Sequence, residues 1–272
     1  MKYLFDKKEH LHFLDGAPLT GTSSVANVIA KPLTWWASGL ACEVMGMPDK
    51  ALFAKIKKGE IAEKDKDELL IKLQEFLLGL GTLKPEEYLE LLTKAYRAHD
   101  TFKKEAADKG TDLHGEISKW VREEIYAQRG EERIASPYHP KIKPLVEWAE
   151  KNVKEWLWSE MHCYSSRLFL GGICDLGAKL KDNSLILMDA KSSKAAYPNM
   201  FIQPALYDLQ ISENGGYTAD GMQTFTLDRP ITKYAIIPFG AEKIEPFIRT
   251  DVENCKKAAL AALELYRFLP RD

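Results

Sequence analysis

Three residues in the second half of the chain have the types and spacing for hydrolytic chemistry: Asp175, Asp189 and Lys191. Along Leu185-Ile186-Leu187-Met188-Asp189-Ala190-Lys191, alternation puts Asp189 and Lys191 on the side of Leu185 and Leu187, so an acid and an amine end an otherwise apolar strand. The preceding run, Leu170 to Leu176, delivers Asp175, and hairpin pairing through a turn at Lys181-Asp182-Asn183 brings the two acids together. Two carboxylates held close are costly unless a cation lies between them. Hard oxygen ligands suit Mg²⁺ or Mn²⁺, which keeps waters and accepts phosphate oxygens as further ligands. Such an ion polarises a phosphoryl group and lowers the pKa of an attacking water, while Lys191 orients that water or stabilises the transition-state charge. The competing interpretation is a surface Asp–Lys pair at a strand end, because Asp-x-Lys is common in any sequence.

The elements that must position these residues follow from periodicity. After a short opening segment the first third is helical: Leu69, Leu70, Leu73, Phe76, Leu77 and Leu80 recur at helical spacing, and Pro85-Glu86-Glu87 opens a second helix with Tyr88, Leu89, Leu92 and Tyr96. Thr111 or Asp112 is expected to cap a helix whose apolar face is Leu113, Ile117, Trp120, Val121 and Ile125, and Pro140 to start another. Segments 156–164, 168–180 and 184–192 then predict a β-meander, followed by a helix over 200–212, strands at 223–227 and 233–238, and a last helix over 252–268. The expectation is α/β: a helical N-terminal part, 1–110, and an α/β core, 111–272, integrated into one globular unit.

Bulk properties narrow the function classes. With 45% hydrophobic and 29% charged residues the chain of 272 residues is globular, and its net charge of −2 makes any nucleic-acid contact local. The Lys-rich stretches at 55–58 and 103–109 are candidates for it, although such runs are usually solvated helix faces. No apolar run approaches the 18 or so residues that span a bilayer, and the four cysteines form no CxxC pair, so a soluble cytoplasmic protein with reduced thiols is expected and no membrane contact. There is no GxSxG for a serine nucleophile and no Walker A loop.

Four motifs resemble a known family. Gly172-Ile173-Cys174-Asp175, Leu187-Met188-Asp189-Ala190-Lys191 and Gln203-Pro204-Ala205-Leu206-Tyr207 are similar to the G-x-x-D, D-x-K and Q-x-x-x-Y signatures of RecB-like nucleases in the PD-(D/E)xK superfamily. Gly110-Thr111-Asp112-Leu113-His114 resembles that group's Gly-Thr-x-x-His motif. The resemblance implies a restriction-endonuclease-like core, a central mixed β-sheet flanked by helices. It implies a Mg²⁺ site, with Mn²⁺ able to substitute, held by His114, Asp175, Asp189 and the carbonyl of Ala190. Asp175, Asp189 and Lys191 would be catalytic, with Gln203 and Tyr207 one helical turn apart, facing the lysine, water or a DNA phosphate. Glu160, on the preceding strand where some relatives carry an acid, is a supporting ligand candidate; alternation places it on one face with Trp158 and His162.

The segment Leu19 to Val25, with Ser23 and Ser24, and the pair Trp35-Trp36 resemble the opening of phage-type and mitochondrial-type exonucleases in the same family. This implies an N-terminal arch or clamp on DNA with a free end, and a role in phage or bacterial DNA recombination, repair or replication beside a single-strand annealing or recombination partner. The C-terminal cysteine group that carries an iron–sulfur cluster in some relatives is missing, since only Cys255 lies there, so no cluster is expected. A non-catalytic DNA-binding module on this fold, or a structure-specific endonuclease, are the alternatives.

Overall fold

The computed structural model describes residues 1–29, 34–46, 63–131 and 138–269. The chain divides into two compact units, Met1–Ala30 with Lys109–Asp272, and Lys31–Asp108. The first holds an eight-stranded sheet with β5 (Val153–Ser165), β6 (Leu170–Leu180) and β7 (Leu185–Lys191) as its antiparallel meander. On one side the sheet continues to β10 (Ile231–Pro238), parallel to β7, and β11 (Phe247–Arg249). On the other it continues to β8 (Gly216–Tyr217) and β9 (Gln223–Phe225), and the short β4 (Thr20–Gly21) runs parallel to β6. The architecture is α/β with a mixed central sheet flanked by helices. The turn at Lys181-Asp182-Asn183 is as expected: Asn183 adopts φ +63° and Asp182 Oδ1 accepts from the Ser184 N–H at 3.0 Å.

Six of the seven residues of β7 are buried, as expected for a central strand covered on both faces. Leu185 and Leu187 pack into one core with α6 (Ile202–Asn214) and α7 (Val252–Phe268); Ile186 and Met188 pack into a second with the end of α4 (Pro85–Gln128) and with α5 (Lys143–Asn152). In α7, Cys255, Ala259, Ala262 and Leu263 form the apolar stripe, with Glu253 in the first turn and Arg267 in the last complementing the helix dipole. The opening segment folds as a three-stranded sheet, β1 (Tyr3–Asp6), β2 (Leu11–Leu14) and β3 (Ala17–Pro18), whose Tyr3, Phe5 and Leu14 pack with Leu19 and Tyr164, and α1 (Thr22–Asn27) follows it. The second unit contains α2 (Thr34–Val44), α3 (Glu63–Thr82) and the first part of α4. Among the described residues no helix is long and apolar enough to cross a membrane.

Two local expectations are corrected. No helix starts at Thr111 or Asp112, because α4 runs unbroken for 44 residues from Pro85, with Glu86 and Glu87 in its first turn. A cap there would contribute about 1 kcal/mol, and an interior glycine such as Gly110 costs about as much, too little to break a ladder continuous on both sides. The second correction concerns β5. Trp158 buries against Phe225 and donates to Cys174 Sγ at 3.3 Å, whereas Glu160 reaches Ser118 on α4, so the two do not share a face. Alternation fails because Glu160 adopts φ +55° between the pairs Ser159↔Leu176 and Met161↔Cys174.

Candidate metal centre

β6, β7 and α4 converge on one spot. Asp175 lies opposite Glu160 in the β5–β6 register, and its Oδ2 accepts the backbone N–H of Ala190, between Asp189 and Lys191, at 2.8 Å. His114 comes down from α4, with Nε2 3.3 Å from Asp175 Oδ2 and 3.6 Å from Glu160 Oε1. The ligand atoms of His114, Glu160 and Asp175 all lie within 4.8 Å of one another, close enough to share one ion. The φ of Glu160 costs a non-glycine residue on the order of 1–3 kcal/mol, and it turns a carboxylate toward the other two. Ser118, one helical turn after His114, holds that carboxylate through a 2.7 Å bond to Oε1.

Asp189 continues the site on the α6 side. It is fully buried; its Oδ2 is paired with Lys191 Nζ at 2.6 Å, and among the described residues Oδ1 has no hydrogen-bond partner. Lys191 Nζ in turn donates to Gln203 Oε1 at 2.9 Å, and Gln203 Nε2 to Tyr207 Oη at 2.9 Å, so Gln203 meets the lysine directly and Tyr207 is linked to it through Gln203. Gly172 makes this approach possible: a Cβ there would lie 2.6 Å from Tyr207 Cε1 and 2.7 Å from Thr22 Oγ1. Thr22 Oγ1 is fixed by its bond to the Gly171 carbonyl at 3.0 Å and by Gln210 Nε2 at 2.8 Å.

The electrostatics show a surplus of negative charge. Burial pushes the Asp189 carboxyl up; Lys191 opposes this and the charge of Asp175 adds to it. Burial, then the Asp175 charge, also raise Glu160. The bond to Asp175 raises His114 despite its burial. For Lys191, burial favours the neutral amine, but Asp189 and Asp175 outweigh it and keep the ammonium. His114, Glu160 and Asp175 could hold an ion, and a donor set dominated by carboxylates is of the kind that suits a hard cation.

His114, Glu160, Asp175, Ala190, Asp189, Lys191, Gln203 and Tyr207 are thus brought together. Ser23 and Ser24 lie exposed on α1, whose buried residues are Thr22 and Val25. Trp35 and Trp36 begin α2, but their side chains lie outside the described residues, as do residues 55–58 and the side chains of 103–109. Ser118 was not found from the sequence; its spacing of four from His114 on a helix was the available signal. No protein-family model matches the chain, and no curated protein matches it.

Proposed function

We propose that the chain is a metal-dependent deoxyribonuclease of the PD-(D/E)xK type, with a restriction-endonuclease-like core, that removes nucleotides from a DNA end. The observation that supports this is Asp189, a fully buried carboxylate paired with Lys191 through Oδ2 and without a partner at Oδ1, joined through Ala190 to the group His114, Glu160 and Asp175. His114, Glu160, Asp175, Asp189 and the Ala190 carbonyl would hold Mg²⁺ or Mn²⁺. When bound, the ion polarises the phosphoryl group and acidifies the attacking water.

The remaining chemistry falls to the chain. Lys191, with its Nζ 2.6 Å from Asp189 Oδ2 and 2.9 Å from Gln203 Oε1, would serve as a hydrogen-bond donor and positive charge toward the water and the phosphoryl oxygens. Gln203 holds the ammonium through Oε1, and Tyr207, its phenol kept protonated by burial and by the charges of Asp175 and Asp189, orients the Gln203 amide. End dependence rests on the likeness of residues 19–36 to phage-type exonucleases. The test is digestion of end-labelled linear and closed circular single-stranded DNA of equal length with Mg²⁺, Mn²⁺ or EDTA. Stepwise loss from linear ends with the circle intact supports the proposal. Rapid cutting of the circle makes the protein an endonuclease, and no cutting with either metal sinks the catalytic reading.

A further inference from the structure

Next to Glu160 lies a groove that the chemistry above does not use. It has a volume of about 430 Å³, within the roughly 300–1,000 Å³ typical of ligand sites, and is bounded by the end of α4, by β5 and by the β8–β9 hairpin. One wall is a face of α4 with Arg122, Tyr126 and Arg129 at spacings of four and three, so the three side chains stand in a row about 10 Å long. All three are exposed, and among the described residues neither arginine makes an ion pair. The floor is aromatic, with Trp158 and Phe225 at 4.8 Å between ring centroids. Glu160 is the carboxylate in the lining, so one end of the groove reaches the metal centre, and the charge of Arg122 acts on Glu160 there.

Two unpaired guanidinium groups flanking an exposed ring above an aromatic floor match an anionic chain whose units carry flat faces. We propose that this groove binds a single strand of nucleic acid running from the metal centre, with Arg122 and Arg129 on backbone phosphates and Tyr126 stacked on an unpaired base. The inference deepens the nuclease reading and rests on it for the class of ligand. A paired base has no free face for Tyr126, which is why the occupant is a single strand and not a duplex.

The experiment measures binding without hydrolysis: fluorescence anisotropy of a labelled twelve-residue oligothymidylate with the full chain in EDTA, over a series of salt concentrations. Each phosphate contact on a single strand contributes about 0.7 to the slope of log affinity against log salt, so R122A/R129A should lower the slope by about 1.4 and weaken binding at least tenfold at moderate salt. Tyr126→Ala should weaken binding about fivefold or more at an unchanged slope. The double substitution to lysine should keep the slope, and Lys257→Ala, an exposed residue on α7 outside the groove lining, should bind like the parent. The replaced residues are exposed, and circular dichroism checks that each variant folds. An oligonucleotide affinity and slope unchanged in R122A/R129A, or no binding by the parent protein, overturns the proposal. Groove-dependent binding without cleavage in Mg²⁺ or Mn²⁺ supports the groove and sinks the nuclease reading alone. Cleavage that needs Asp189 while binding ignores the groove variants does the reverse.

Discussion

Saturating the protein with Mn²⁺ should raise its melting temperature, and Asp189→Asn should abolish the rise. Asn keeps the shape of Asp189 but removes the charge from a carboxylate that is fully buried, unpartnered at Oδ1 and pushed toward protonation by burial. An ion binding only the folded state at 100 times its Kd contributes about 2.7 kcal/mol. For a unit of roughly 200 residues each kcal/mol moves the melting temperature by about 2–4 °C, so the expected rise is about 5–10 °C. The substitution also strips Lys191 of a partner 2.6 Å away, which shifts the variant's own baseline. Scanning calorimetry with and without Mn²⁺ on each protein cancels that baseline, because only the metal-dependent difference is compared. A full rise in Asp189→Asn would place the ion elsewhere, and no rise in the parent protein at millimolar Mn²⁺ would remove the metal centre altogether.

Lys191→Ala should keep the Mn²⁺-dependent rise in melting temperature and lower turnover by about 10²-fold or more, as expected of a residue acting on developing charge; a lost rise, or unchanged turnover, would contradict its assignment. Gly172→Ala should cost about 1–3 kcal/mol in urea denaturation, because the new methyl meets Tyr207 and Thr22 inside contact distance; a neutral change would mean that α6 gives way freely. Acid should destabilise the protein through His12, which burial, reinforced by the His162 and His10 charges, holds down to about 3. Because its folded value lies below the unfolded 6.5, the unfolded chain binds more protons between these values, so this stabilisation is complete above pH 6.5 and is lost as pH falls, at up to about 1.4 kcal/mol per pH unit. Urea midpoints from pH 7.5 to 4.5 should fall more steeply in the parent than in His12→Gln, and parallel curves would refute this.

The residues legible in the sequence are those placed by local periodicity. Alternation along β7 puts Asp189 and Lys191 on the side of Leu185 and Leu187, and the last helix spans Val252–Phe268 as its apolar stripe predicts. What was not legible depends on residues far apart in the chain. Glu160 leaves the strand alternation through a single left-handed residue opposite Asp175, and its holder, Ser118, is 42 positions away. Asp208, fully buried in α6, is paired with Tyr234 Oη at 2.5 Å and Lys256 Nζ at 2.9 Å, partners that no helical spacing predicts. The long α4 hides its length because Gly110-Thr111-Asp112 reads locally as a break.

The most direct test of the metal-dependent nuclease is single-turnover hydrolysis of end-labelled linear DNA by the parent protein, Asp175→Ala and Asp189→Ala, each in Mg²⁺ and in EDTA. The account predicts cleavage by the parent in Mg²⁺, none in EDTA, and loss of at least 10³-fold in either variant while the fold, read by circular dichroism, persists. Cleavage at the parent rate by either folded variant, in preparations free of other nucleases, or an EDTA-resistant parent, would contradict it.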